Sequence, residues 1–263
     1  MGQKNCACVD NERTEKEDTG SRVARPEQKC GNGGLYTGEW IGDQRDGNGT
    51  QVWPHGGRYT GQYRYNLADG YGVFTHSDGD TYDGEWKGDK AHGQGTYKHM
   101  DGSVYIGQWV ADKQHGEGKE TLPDGTQYAG QYREGTKQGR GRFSWAEKSS
   151  YEGEFHNNAI HGTGIYTWAH DGRKYEGQWV CNRMHGHGVF SWADGRQYVG
   201  MYIDDQKEGE GTFSWDDGRE YIGQWKNGKQ HGHGVFVDAN RNRRQGQWED
   251  GQRLKWLVDD ENS

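Results

Sequence analysis

The sequence predicts an all-β protein: an elongated, single-layer antiparallel β-meander, or solenoid, of tandem β-hairpins about 23 residues long. Three observations predict it. A Tyr-x-Gly-x-aromatic motif starts at Tyr36, Tyr59, Tyr82, Tyr105, Tyr128, Tyr151, Tyr175, Tyr198 and Tyr221, always 23 residues on except for one step of 24 after Tyr151. A Gly-x-Gly motif keeps the same register at Gly47, Gly70, Gly93, Gly116, Gly139, Gly162, Gly186, Gly209 and Gly232. Asp-Gly pairs, a hairpin signal between alternating runs, recur at Asp78, Asp101, Asp124, Asp171, Asp194 and Asp217. A fixed period of this length is the mark of a repeat array, in which each unit packs only on its neighbours.

Composition alone would suggest disorder, since only 29% of residues are hydrophobic and the net charge is −8. The 16 Tyr, 12 Trp and 6 Phe answer that objection, because large rings bury much area per residue. The 46 glycines answer it too, because they hold a register that a flexible linker has no reason to keep.

Each unit reads as two extended segments. In "YDGEW", Tyr82, Gly84 and Trp86 share one face under period-2 alternation, with Asp83 and Glu85 on the other. In "GHGVFSW", the same alternation puts Gly186, Gly188, Phe190 and Trp192 together; "GEGTFSW" does so with Gly209, Gly211, Phe213 and Trp215. Glycine weakens a strand by itself, so its regular use implies that a neighbouring ring lies over it. The unit from Tyr128 ends in "AEKSS", which predicts a different turn there. The extra residue in "WAHDGRKY" falls beside a turn, where length is tolerated. A degenerate tenth unit has Arg244 for its tyrosine, and "RLKWLV" offers Trp256 and Leu257 to close the end. The domain reading is a disordered tail over 1–33, the repeat array over 34–258 and an acidic tail over 259–263.

Tyr-x-Gly-x-Trp, Lys-x-His-Gly-x-Gly and Asp-Gly at this spacing resemble the MORN repeat (membrane occupation and recognition nexus). "YDGEWKGDKAHGQG" and "YIGQWKNGKQHGHG" carry the resemblance, which extends from residue 35 to about 250. It implies a β-hairpin ribbon. Such arrays occur in junctophilins, radial-spoke heads, plant phosphatidylinositol-phosphate kinases, a methyltransferase, protist cytoskeletal proteins and stand-alone scaffolds, some of which bind myosin tails or dimerise. The attached kinase and methyltransferase domains have no counterpart here, so the expected protein is not an enzyme and needs no cofactor.

Candidate sites follow. His92, His115, His161, His185 and His231 form a column before Gly-x-Gly. Equivalent residues lie two strands, about 9.6 Å, apart, too far to share a metal with ligand atoms near 2 Å; turn histidines beside rings are expected, and no metal. The Gly-x-Gly pairs have no following helix and so are not phosphate cradles.

The ring-rich face is expected to bind a cytoskeletal or membrane-cortical protein through Tyr82, Trp86, Tyr105, Trp109, Tyr175, Trp179, Phe190, Trp192, Phe213, Trp215, Tyr221 and Trp225, since Tyr and Trp are favoured at interface hot spots. The same strip or the sheet ends would also allow a homodimer. Two alternatives stand beside this: repeats that bind phospholipid directly, or an axonemal or ciliary structural component. Charge speaks against the first. Residues 1–33 carry six basic and six acidic residues, so the whole −8 belongs to the rest, and anionic membranes attract basic segments. A local basic strip remains at Arg241, Arg243, Arg244 and Arg253. The acidic balance also excludes nucleic acid as the main partner.

Four cysteines form neither a disulfide framework nor a metal pair, and no signal h-region is present, so a reduced, cytoplasmic protein is expected. "MGQKNCACVD" places Gly2, an acceptor for myristate, within reach of Cys6 and Cys8 for palmitate, although Cys6 stands where the myristoylation pattern prefers Ser or Thr. The expected localisation is the cytoplasmic face of a membrane or the cytoskeleton, with lipid holding the protein and the ribbon recruiting the partner.

Overall fold

The structure is a computed structural model that describes residues 20–257. Gly2, Cys6, Cys8 and the acidic stretch 259–263 lie outside the described residues. Among the described residues there is no helix.

Twenty-one strands follow one another in an antiparallel sheet. The first nine are β1 (Val23–Lys29), β2 (Leu35–Ile41), β3 (Gln44–Val52), β4 (Arg58–Arg64), β5 (Leu67–Thr75), β6 (Thr81–Lys87), β7 (Lys90–Lys98), β8 (Val104–Val110) and β9 (Lys113–Thr121). Then come β10 (Gln127–Arg133), β11 (Thr136–Ser144), β12 (Ser150–His156), β13 (Ala159–Thr167), β14 (Lys174–Val180) and β15 (Arg183–Ser191). The last are β16 (Gln197–Ile203), β17 (Gln206–Ser214), β18 (Glu220–Lys226), β19 (Lys229–Val237), β20 (Arg243–Glu249) and β21 (Gln252–Trp256). The chain forms two units, one built from residues up to Gly125 with Gln131–Thr136, the other from Thr126–Gly130 and Lys137 onward.

The meander of tandem hairpins is as the sequence predicts. The array begins earlier than residue 34, however, because β1 pairs with β2. Its sequence, "VARPEQK", carries neither repeat marker, so nothing in the periodicity announces it. Pro26 and a register shift between Arg25 and Gln28 break up this first edge, a usual guard against edge-to-edge pairing.

Register explains the glycines. Gly84, Gly95, Gly107 and Gly118 stand opposite one another across β6 to β9, as do Gly153, Gly164, Gly177, Gly188, Gly200 and Gly211 across β12 to β17. The tyrosine ring lies along this glycine stripe. A Cβ on Gly188 would sit 2.5 Å from Cε2 and Cζ of Tyr175, while one on Gly84 would meet the Cα of Gly95 at the same distance. The tyrosine hydroxyl then donates to the carbonyl three residues on, as Tyr82 does to Glu85 at 2.9 Å and Tyr175 to Gln178 at 3.0 Å.

The first glycine of Gly-x-Gly has a different task from the one the alternation suggests. At Gly186 the backbone is left-handed, φ +62°, and the register shifts between Gly177 and Trp179. This β-bulge breaks the period of two. The side chain before the Trp of the motif spans it: Gln178 Oε1 accepts from His187 N at 2.8 Å, and Glu85 Oε1 from Gln94 N at 2.8 Å. Hence the recurrent Glu or Gln at that place.

Two kinds of connection alternate. Asp-Gly does not form a two-residue turn; it sits in a longer loop, as where Trp192 N bonds to Arg196 O and Gly195 N to Trp192 O. The "AEKSS" loop has the same bonds, Trp145 N to Ser149 O and Lys148 N to Trp145 O, with Lys148 at φ +73° in the place of glycine. The turn expected to differ therefore keeps the shape and loses only the favoured residue. The tight two-residue turns lie at the other end, at Tyr65-Asn66, Ala111-Asp112, Asn157-Asn158, Cys181-Asn182 and Asp204-Asp205, both residues of each with positive φ. That is the type I′ geometry that matches strand twist.

These tight turns also latch the hairpins together. Asn182 N donates to Ile160 O at 2.9 Å, and Ile160 N donates to Asn182 Oδ1 at 2.8 Å. Asn66 with Arg45, Asp89 with Ala68, Asp112 with Ala91, Asn158 with Lys137 and Asp205 with Met184 repeat the double bond.

This geometry makes two substitutions informative. Gly188→Ala lowers stability by about 1–3 kcal/mol through overpacking under Tyr175, with Gly188→Val lower still, in thermal melts. Asn182→Gly loses the side-chain half of the latch, about 1 kcal/mol, and Asn182→Ala loses about 1 kcal/mol more because alanine resists the left-handed turn. Equal melts for the two Asn182 variants would contradict the turn assignment.

Candidate functional site

Of the twelve rings predicted as a partner face, nine are buried: Tyr82, Tyr105, Trp109, Tyr175, Trp179, Phe190, Phe213, Tyr221 and Trp225. The physical reason is their mutual packing. Tyr175 meets Trp179 edge-on at 5.0 Å between centroids and Tyr202 of the next repeat at 5.2 Å. The indole N–H of Trp179 reaches back to the Gly164 carbonyl at 3.3 Å, as Trp225 does to Gly211 and Trp109 to Gly95. Burial raises the tyrosine phenols, to about 12 at Tyr36 and Tyr221, so each remains a neutral donor. These rings are the core, and a partner would have to part them to touch them.

Trp86, Trp192 and Trp215 are only half-buried. Trp192 and Trp215 belong to a second row, with Trp145 and Trp168, that opens the long loops of the second unit. It continues through contacts of Trp145 with Tyr166 (5.0 Å), Trp168 with Phe190 (5.4 Å) and Trp192 with Phe213 (5.6 Å). An arginine from the same loop lies over each of three rings: Arg173 on Trp168 at 5.3 Å, Arg196 on Trp192 at 5.5 Å and Arg219 on Trp215 at 5.3 Å. Each guanidinium is held by the loop aspartate, Asp171, Asp194 or Asp217, at 2.6–2.7 Å. The result is a row of flat apolar rings with positive charge fixed above it. The alternation in "GRGRFSW" already puts Trp145 on the ring face with Phe143, but neither it nor Trp168 nor the three arginines is among the predicted partner residues; the recurrence of Asp-Gly-Arg after Trp168, Trp192 and Trp215 is the signal that marks Trp168 and the arginines.

In the first unit the same row reads Trp53, His76, His99 and Leu122. Burial holds the His76 imidazole below its ordinary value. Asp80 accepts from the Tyr97 hydroxyl at 2.9 Å and from Met100 N at 2.9 Å, and contacts His99 Nδ1 at 3.0 Å.

The other sequence candidates are placed as follows. The histidine column lies at the bulges, where the His92 carbonyl accepts from the Tyr82 hydroxyl at 3.2 Å. Among the described residues no three His, Cys, Asp or Glu side chains gather as a metal site. The basic strip is partly engaged: Arg241 pairs with Glu220 at 2.9 Å, and Arg244 and Arg253 lie over Trp256. Trp256 closes the last row against Trp248 at 6.1 Å.

The MORN repeat profile matches nine consecutive segments, 36–58, 59–81, 82–104, 105–127, 128–150, 151–169, 175–195, 198–218 and 221–243. The chain belongs to the MORN-repeat family. The degenerate tenth MORN unit, beyond these matches, is the hairpin β20–β21. No curated protein matches the chain. Among solved structures, the TCP domain of SAS-4 from Drosophila melanogaster, in complex with a proline-rich motif of Ana2, is 10% identical with a TM-score of 0.33, covering 82% of this chain and 99% of that one. A mutant TCP10 domain of CPAP from Danio rerio is 11% identical with a TM-score of 0.34, covering 89% and 99%. Virginiamycin B lyase from Staphylococcus aureus is 8% identical with a TM-score of 0.16, covering 86% and 84%. Likenesses this low carry no argument about what the MORN array does.

The two ring rows separate in an accessible experiment. Acrylamide is expected to quench fluorescence from Trp145, Trp168, Trp192 and Trp215 and to spare Trp109, Trp179 and Trp225. Trp179→Ala is expected to cost about 3–5 kcal/mol of stability, and Trp192→Ala much less.

Proposed function

We propose that this MORN protein is a non-enzymatic scaffold. Its tryptophan row, Trp145, Trp168, Trp192 and Trp215, docks an extended segment of a cytoskeletal or membrane-cortical protein. With Met1 as the initiator, acylation at Gly2 and at Cys6 and Cys8 holds the scaffold to the cytoplasmic face of a membrane. The carrying observation is the half-exposed Trp row under fixed arginines. Trp and Arg are the residue types that dominate interface energetics, and here both are ordered before a partner arrives. The twelve-residue aromatic face thereby contracts to Trp192 and Trp215, joined by Trp145, Trp168 and the arginines that the loops supply; Trp86, in the other unit, is not part of the row. The anchor rests on the coincidence of a glycine and two cysteines in eight residues; one acyl chain binds membrane marginally, and two signals bind it stably.

The test uses the full chain in its native cell. Trp168→Ala with Trp192→Ala and Trp215→Ala is expected to keep the fold and the membrane fraction but lose the co-purifying partner. Gly2→Ala is expected to release the protein to the soluble fraction with the partner still bound. Retention of Gly2→Ala protein on salt-washed membranes would refute the anchor, and an unchanged partner set for the triple variant would refute the docking row.

A further inference from the structure

Lys207 is a cation at a place where six of the nine units have an uncharged side chain. Lys207, on β17, is one repeat on from Met184, two from Ile160 and five from Ala91. Its ammonium lies 4.9–5.1 Å from the centroids of four rings, Trp192, Tyr198, Phe213 and Trp225. Ring faces stabilise a cation but accept no strong hydrogen bond from it. Among the described residues the Lys207 ammonium has no hydrogen bond or ion pair, whereas the backbone carbonyl accepts from Gly228 N at 3.0 Å. Burial, and then the charge of Arg196, push it down to about 8.

Beside it, Tyr202 takes the place that Trp109, Trp179 and Trp225 occupy in other repeats. A phenol is smaller than an indole, and its hydroxyl cannot make the bond that those indoles make to a glycine carbonyl. Tyr202 is 2% exposed, and its hydroxyl is buried without a partner. Lys207 and Tyr202 line one solvent-open pocket of about 240 Å³, whose apolar wall includes Met184, Phe190 and Trp192. Asp205 also lines it, but its Oδ1 already accepts from Met184 N at 2.8 Å.

We infer that this pocket binds a carboxylate carried on a short apolar or aromatic stem. The Lys207 ammonium has no protein acceptor, and a carboxylate is an acceptor with two oxygens; the Tyr202 hydroxyl, with almost no exposed surface, supplies no bond to a ligand, and Tyr202 contributes only the room its smaller ring leaves. A monoanion balances the single ammonium; a phosphate dianion would bring a second, uncompensated charge among four rings and beside Asp205. The volume is below the roughly 300–1,000 Å³ of pockets for drug-sized ligands, so it suits one side-chain-sized group. Such a carboxylate is offered by a small aromatic acid or by the C-terminal residue of a peptide. The inference does not rest on the scaffold reading, because the site is complete without a partner on the tryptophan row.

The test is calorimetric titration of the full chain with phenylacetate, with phenylacetamide, and with a short peptide ending in phenylalanine as free acid or amide. Phenylacetate is expected to bind saturably and phenylacetamide at least about tenfold more weakly, the loss of a charge-assisted bond. Lys207→Met, which copies the side chain of Met184 one repeat earlier, should abolish the difference between acid and amide, and Tyr202→Phe, which removes a hydroxyl sealed from the pocket, should leave the acid's affinity unchanged. A peptide acid tighter than phenylacetate identifies a chain terminus as the ligand; the reverse order identifies a free small acid; both uphold the site. Equal binding of acid and amide by the parent chain, or no saturable binding of any acid, overturns it. This comparison of ligands on the parent chain holds even if a variant fails to fold.

Discussion

A tyrosine ring lying flat on two facing glycines is the contact on which this protein depends. In a packed domain one sheet is covered by another layer, and side chains from both fill the core. Here the covering layer comes from the sheet itself. Tyr175 lies along Gly177 and Gly188, its hydroxyl ties down at Gln178, and the edges of Trp179 and Tyr202 close over it. No side chain larger than hydrogen fits beneath the ring. A chain poor in Leu, Ile and Val thus builds a dry interior from Tyr, Trp and glycine.

The rest of the repeat serves that contact. The bulge at Gly186 lets the long strand of β15 pair with the shorter β14 without losing the glycine register, and Gln178 occupies the amide that the bulge frees. The tight turn then binds the hairpin before it, as Asn182 binds Ile160. Every one of these bonds joins neighbouring strands or neighbouring hairpins, so stability is close to a sum of local terms. A change at one glycine acts on its own hairpin and the hairpins that flank it.

A core made entirely of the repeat leaves function to what departs from it. The loop tryptophans are accessible because they lie past the end of the strand, beyond the row of motif tyrosines that covers the core. The pocket beside Lys207 is lined by Tyr202 and Lys207, at places where most repeats carry an indole and an uncharged side chain, although the repeat from Tyr128 carries the same pair, Tyr132 and Lys137. Lys137 stands at the same place three repeats earlier, 5.1 Å from the centroid of Tyr128. In the first unit, Arg45 stands there, yet it bonds to Gln51 Oε1 at 2.9 Å and to the Asn66 carbonyl at 2.7 Å. The same position is thus satisfied internally at Arg45 and left without an acceptor at Lys207.

By itself the sequence determined the period, the all-β class, the face of the rings and the place of the inserted loop residue. These are one-dimensional properties: a ring four residues from another, with glycine between, has the same meaning in every copy. Tertiary structure alone decided which rings are core and which are surface. Trp179 and Trp192 are both tryptophans on the predicted face, but one is buried against Tyr151 and Tyr166 of the preceding repeat and the other stays half-exposed in a loop. It also decided that β1 joins the sheet, since an edge strand can be held by backbone bonds to its neighbour without any repeat marker. The tight turns were hidden for a related reason. Left-handed backbone at Ala111 or Cys181 is imposed by strand twist and by the latch of the next residue, Asp112 or Asn182, to the hairpin before it, and not by the turn residue's own preference.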